Sequence, residues 1–201
     1  MIGGLYCIDD NSLAPDRDHV ALARDFLAGG AKVIQLRDKT GSRLQAAQEI
    51  MKLKERFAFT FIVNDYVDVA MAVGADGLHV GADDMSIAAA RRLLGPKKII
   101  GYSSHSLEEA IRAEAQGADY VAFGAIFPTA TKGPHHPIQG LKKLHELTRR
   151  IKIPVVAIGG IRRDNVRQVL EAGAKGFAMI AALTQAANIP EEVRWFANLS
   201  Y

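Results

Sequence analysis

Short apolar runs alternate along this chain with longer stretches in which apolar positions return every three or four residues, the periods of buried strands and one-faced helices. The runs predict strands over Gly4 to Ile8, Val33 to Leu36, Phe59 to Asn64, Gly77 to Val80, Lys98 to Ser103, Tyr120 to Gly124, Val155 to Gly159 and Gly176 to Ile180. The periodic stretches predict helices beginning near Asp16, Arg43, Val67, Ser86, Leu107, Ile138, Asp164 and Glu191. One short phrase punctuates the pattern: Gly30-Ala31-Lys32, Gly74-Ala75-Asp76, Gly117-Ala118-Asp119 and Gly173-Ala174-Lys175 each follow a helical stretch and open an apolar run. The glycine can end a helix in a left-handed turn, the alanine fits where the chain reverses, and the next residues begin a buried strand. The copies recur roughly every 45 to 55 residues, two βα units apart, so they mark every second strand of a wound parallel sheet. Eight strands alternating with eight helices predict an α/β fold: a single (β/α)8 TIM barrel over residues 1–201, with its active site at the carboxyl ends of the strands.

Composition agrees. At 201 residues and about half apolar, the chain has enough material for one core without disulfides or structural metals. The lone Cys7 falls in the first strand, has no partner, suits a reducing cytoplasm and reads as a small core residue. No signal peptide shows at the start and no apolar run is long enough for a membrane span. The formal charge of +3 is mild, with basic and acidic residues interspersed and no arginine-rich arm, so no nucleic-acid or membrane partner is expected. The excess suits small phosphorylated substrates. Trp195 and Phe196 pack the last helix onto the barrel or join an oligomer contact, which leaves a homo-oligomer open.

Polar residues crowd the strand exits, where a barrel keeps its chemistry. Gln35, Arg37 and Lys39 leave the second strand at alternate positions, so Arg37 and Lys39 point the same way, with Lys132 placed to close the other side. A guanidinium fork and two ammonium groups make a polyphosphate grip; surface ion pairs with Asp38 and its neighbours are the alternative. Asp65 and Asp84 end neighbouring strands and offer hard oxygens to a Mg²⁺ ion, which prefers one or two carboxylates plus phosphate oxygens and water. Helix capping is the alternative for both, and the favoured reading for Asp83. Gly159-Gly160 after the seventh strand, with the eighth strand beside it, forms a barrel phosphate pocket in which main-chain N–H groups approach an anion. One face thus carries two phosphate-type sites, which suggests two phosphorylated molecules meeting.

These residues also carry a specific resemblance. Gln35-x-Arg37-x-Lys39, Val63-Asn64-Asp65, Asp76-Gly77-Leu78-His79-Val80-Gly81 with Asp84, Gly101-Tyr102-Ser103-Ser104-His105, Phe127-Pro128-Thr129-Ala130-Thr131-Lys132, Gln139-Gly140 and Ile158-Gly159-Gly160-Ile161 resemble the thiamine phosphate synthases, in order over nearly the whole chain. The resemblance implies joining of 4-amino-2-methyl-5-hydroxymethylpyrimidine diphosphate to 4-methyl-5-(2-phosphoethyl)thiazole, giving thiamine phosphate and pyrophosphate. It implies that Arg37, Lys39, Asn64, Ser103 and Lys132 hold the diphosphate, that Asp65 and Asp84 bind one Mg²⁺, and that Gln35 positions the aminopyrimidine. Thr129, Thr131, Gly160, Ile180 and Ala181 would receive the thiazole phosphate. The electron-rich pyrimidine favours a dissociative path and the thiazole nitrogen needs no base, so catalysis consists of neutralising the leaving group and holding two rings together. Arg37, Lys39, Lys132 and Ser103 are the candidate catalytic residues.

The chain departs from the family pattern at Ala181, where a serine is usual, at Ala82, Tyr66 and Gly133. Two other readings follow. Ser103-Ser104-His105 and the residues after it also resemble the thiazole tautomerases, in which His105 would move protons; a His105 hydrogen-bonded at the strand end is the structural alternative. The other is a phosphate-metabolite-binding barrel without turnover. His135-His136 suggests a mobile lid over the mouth rather than a metal site, and His19, His79 and His145 receive no role beyond a hydrogen bond in the barrel for His79.

Overall fold

The computed structural model describes residues 2–39, 41–129 and 137–199. Eight parallel strands form the barrel: β1 (Gly4–Asp9), β2 (Val33–Leu36), β3 (Thr60–Asn64), β4 (Gly77–Val80), β5 (Ile99–Ser104), β6 (Tyr120–Gly124), β7 (Val155–Ile158) and β8 (Gly176–Met179). Each pairs with the next in sequence, and β8 closes on β1 through Gly4 opposite Gly176, so no strand edge is left exposed. The surrounding helices are α1 (His19–Ala28), α2 (Arg43–Lys52), α3 (Val67–Val73), α4 (Ile87–Leu94), α5 (Leu107–Ala115), α6 (Gly140–Arg150), α7 (Val166–Glu171), α8 (Ala181–Thr184) and α9 (Ile189–Ala197).

Three of the eight strands run over the expected residues and the other five differ by a residue at one end or both. Helix starts move to wherever a cap is available. α1 opens at His19 rather than near Asp16 because the Asp18 carboxylate accepts the Ala21 N–H at 2.7 Å, and α9 opens at Ile189 because Asn188 caps it and Pro190 suits a first turn. The four-residue α8 is an addition to the expected eight helices.

The recurring phrase has the anticipated geometry, with Gly30, Gly74, Gly117 and Gly173 all at positive φ, between 67° and 97°. Its third residue adds a bond. The carboxylates of Asp76 and Asp119 accept the N–H groups of Phe61 and Ile100 at 2.7 Å, fastening each joint to the strand before it.

Two apolar layers result. Between barrel and helices lie Phe26, Phe61, Phe123 and Phe177 with the fully buried Cys7, and Phe196 of α9 packs its ring 5.9 Å from that of Phe177. Inside the barrel a smaller cluster includes Tyr6, Ile8, Val33, Ile62, Tyr120 and Val156. Gly101 admits the Tyr120 ring there, since a Cβ at that position would lie 2.1 Å from it. No helix among the described residues is long and apolar enough to cross a membrane.

Candidate active site

Strand alternation turns Gln35, Arg37 and Lys39 into the barrel mouth, and the same cavity takes in Asn64, Asp65, Asp84 and Ser103 from the next three strand exits. This cavity is about 660 Å³. A second, of about 790 Å³, opens beside it under β6 to β8, where Thr129, Gly160, Ile180 and Ala181 line it. Gly124, Ile158, Ala178 and Ile180 border both, so the two cavities share a wall. Every candidate residue within the described chain therefore reaches one rim. Thr131 and Lys132, and the His135-His136 pair, lie outside the described residues.

Arg37 pairs with Asp10, whose side chain is almost fully buried, and not with its neighbour Asp38. Asp38 points the opposite way, into the layer beneath α1, as the alternation requires. The alternative of surface ion pairing with Asp38 is thus replaced by a partly buried pair at the mouth.

Asp65 has φ of 65°, alone among the described non-glycine residues in that region. The Tyr66 N–H reaches back to the Asn64 carbonyl at 2.8 Å across it, and the Asp65 N–H donates to the His79 carbonyl at 2.8 Å. Such a three-residue turn at positive φ is strained and concentrates where a side chain must be aimed. Its carboxyl lies against that of Asp84. Burial, then the Asp84 charge and hydrogen bond, push Asp65 up to about 6, against the opposing pull of Arg37 and Lys39. Asp84 in turn accepts the Gly81 N–H at 2.7 Å, so it closes its own loop rather than capping α4, whose cap is Ser86.

Beneath the carboxylates runs a hydrogen-bonded chain, of which the sequence pointed only to the barrel hydrogen bond of His79. The Gln35 amide donates to the Tyr6 hydroxyl at 2.9 Å, the Tyr6 and Tyr120 hydroxyls are 2.7 Å apart, and His79 links Tyr120 to Ser103 at 2.9 Å on either ring nitrogen. It joins two expected substrate residues, Gln35 and Ser103, across the barrel. Burial carries both tyrosine hydroxyls far above their ordinary titration range, so they remain neutral donors and acceptors. The floor is polar, with its two hydroxyls held neutral, and suits a heteroaromatic ring.

Across the shared wall the chemistry changes. Gly159 and Gly160 have φ of 98° and 65°, and a Cβ on Gly160 would lie 2.5 Å from the Pro128 carbonyl oxygen. The turn thus packs against the β6 exit loop as only glycine can. Asn165 holds it by donating to the Gly160 carbonyl at 3.0 Å. Ala181 begins α8, whose first N–H groups have no partner within the helix. His105 lines the first cavity and donates from Nδ1–H to the Gly124 carbonyl at 2.9 Å, while its main-chain N–H donates to the Glu109 carboxylate at 2.7 Å, the hydrogen-bonded strand-end arrangement.

Fold and rim together define a (β/α)8 barrel with a charged cavity and a glycine-rich one side by side at the carboxyl ends of its strands. The model of the family described as thiamine monophosphate synthase matches residues 5–183. A thiamine-phosphate synthase of Shouchella clausii is 45% identical over 188 residues, covering 92% of this chain and 90% of its own length. Another, from Methanospirillum hungatei, is 46% identical over 199 residues, covering 98% and 97%. The solved thiamine phosphate pyrophosphorylase of Pyrococcus furiosus superposes with a TM-score of 0.87 at 40% identity, covering 95% of this chain and 92% of that one. The chain belongs to the thiamine monophosphate synthase family, transferases of thiamine biosynthesis.

Proposed function

We propose that this chain, acting as a single domain in the cytoplasm, joins hydroxymethylpyrimidine diphosphate to thiazole phosphate and releases thiamine phosphate and pyrophosphate. The observation that carries it is the pairing of a charged cavity with a main-chain anion pocket across one wall. Arg37 and Lys39 receive the diphosphate, with Asn64 and Ser103 as neutral donors at the same rim. Gln35, itself anchored on Tyr6, orients the pyrimidine over the hydrogen-bonded floor. Gly160 and Ala181 present N–H groups to the thiazole phosphate, with Thr129 beside them.

The two contacting carboxylates of Asp65 and Asp84 fit a Mg²⁺ ion. Their mutual repulsion is the state a divalent cation would relieve, and diphosphate and water oxygens would complete its ligands. When bound, the ion supplies charge neutralisation to the departing pyrophosphate. Ser103 and His79 are a hydrogen-bonded hydroxyl and imidazole at this rim, and the proposed reaction needs neither as nucleophile nor as general base. The bond between the exocyclic methylene carbon and the diphosphate oxygen breaks with its electrons leaving on pyrophosphate, and the thiazole nitrogen donates its lone pair to that methylene carbon. Arg37 and Lys39 stabilise that leaving group more strongly as its charge grows.

A pyrophosphate-release assay tests this reading. Release is expected only with both substrates and Mg²⁺ present. Isomerisation of a thiazole without metal, or binding without product, would replace it with a tautomerase or a sensor.

A further inference from the structure

Under the Arg37–Lys39 segment lies a buried acid cluster for which the chemistry above has no use. Asp9 ends β1, His19 opens α1, and Asp38 sits between Arg37 and Lys39; all three are at most 4% exposed. His19 Nδ1 is 2.7 Å from Asp9 Oδ1, and its Nε2 lies 3.9 Å from Asp38 Oδ1 with no hydrogen-bond partner. Asp38 is further held by the Ser42 hydroxyl at 3.1 Å. The Arg37 N–H donates to the Asp9 carbonyl at 2.9 Å, and Asp10 takes the Arg37 guanidinium. The exits of β1 and β2 are thus tied at main chain, at the mouth, and through one imidazole in the layer behind it.

A buried histidine between two carboxylates, with no route to substrate, is placed to set the direction of the backbone that carries those carboxylates. Because side chains alternate, fixing Asp38 on the outer face fixes Arg37 and Lys39 on the inner one. We propose that His19 is a positioning residue for the diphosphate grip, bracing Asp38 against Asp9 so that Arg37 and Lys39 stay aimed at one anion. This rests on the diphosphate reading of those two cations.

The charges acting on the imidazole are Asp9 and Asp10 from β1 and its exit and Asp38 after β2, with Asp18 before α1 acting on Asp9 and Arg37 paired to Asp10. Burial draws His19 down, but the Asp9 hydrogen bond and the Asp9, Asp38 and Asp10 charges raise it on balance above its ordinary value. That shift favours the charged ring, which attracts Asp38 across 3.9 Å as well as holding Asp9 by the hydrogen bond. As pH rises through the raised value the charge is lost, and the attraction to both carboxylates weakens.

The test compares wild type, His19→Gln and Asp38→Asn by titration with inorganic pyrophosphate in magnesium chloride, and by KM for each substrate. Pyrophosphate affinity is expected to weaken roughly tenfold in both variants, with a matching rise in KM for the pyrimidine diphosphate and an unchanged KM for the thiazole phosphate. The pH dependence of wild-type pyrophosphate affinity should lose its alkaline limb in His19→Gln. Unchanged pyrophosphate affinity in the variants, or an equal rise in both KM values, would overturn the inference, whatever happens to melting temperature. Should His19→Gln fail to fold, Asp38→Asn decides alone, because it leaves the Asp9–His19 pair in place. Wild type that binds pyrophosphate and forms no product would refute the proposed function while leaving this comparison intact.

Discussion

The two halves of the mouth solve the same problem by opposite means. In the proposed reaction an anion under β1 to β5 would meet side chains: Arg37, Lys39 and the Asp65–Asp84 pair, mounted on a hydrogen-bonded floor. Under β6 to β8 it would meet main chain, with the Gly159-Gly160 turn and the start of α8 in a more apolar cavity. The difference matches what each anion does in the proposed reaction. A diphosphate that departs gains charge, and side-chain cations and a metal respond to that gain. A monoester phosphate that only anchors its ring keeps its charge, and fixed N–H groups suffice.

The largest expected effect comes from breaking the charged half. Arg37→Ala should lower kcat/KM by roughly a thousandfold, about 4 kcal/mol, through kcat and the pyrimidine substrate, with the thiazole phosphate KM unchanged. Steady-state kinetics with each substrate varied in turn checks it, and an equal loss toward both would erase the distinction between halves.

Breaking the main-chain half should act on different quantities. Gly160→Ala places a methyl group against the Pro128 carbonyl at positive φ, so stability should fall by about 2 to 3 kcal/mol in a denaturant titration. Where folded, the variant should raise the thiazole phosphate KM alone.

Asp65 sharpens the contrast through pH. Its folded value of about 6 lies above the 3.8 of the unfolded chain, so its ionisation costs stability. The cost is absent below pH 4, grows as pH rises through about 6, and then levels off. Asp65→Asn should therefore stabilise the metal-free protein by about 1 kcal/mol above pH 6 and not at all below pH 4, after allowance for its partial exposure. It should also abolish stabilisation by Mg²⁺. Melting curves at several pH values, with and without the ion, measure both, and an Asn variant no more stable at pH 7 would contradict the assigned repulsion.

The smallest effect belongs to Ala181→Ser. A hydroxyl added at the start of α8 should tighten the thiazole phosphate severalfold, up to about 1 kcal/mol, leaving the pyrimidine side alone. Calorimetry with the thiazole phosphate reads it directly.

The same contrast governs what the sequence disclosed. Arg37, Lys39, Asp65 and Gly160 were legible because charges and glycines at strand exits stand out against apolar strands. The joints at Gly30, Gly74, Gly117 and Gly173 were legible because a left-handed helix end has few chemical solutions. Tyr6 and Tyr120, and the partners of His79, were not, because they sit inside strands buried on both faces, where apolar runs do not say which side faces the lumen. Only ring closure brings Tyr6 to Tyr120 across 114 residues. Asp10 as the partner of Arg37, and the Asp9–His19–Asp38 cluster, depend likewise on two strands meeting side by side. The helix Ala181–Thr184 is too short to show a period.

The division of the rim is tested most directly by a crystal structure with thiamine phosphate and pyrophosphate bound together. The account predicts pyrophosphate against Arg37 and Lys39, bridged to Asp65 and Asp84 by a cation, with the thiamine phosphoryl group on the N–H groups of Gly160 and Ala181. Both anions on the same side of the wall formed by Gly124, Ile158, Ala178 and Ile180 would contradict it.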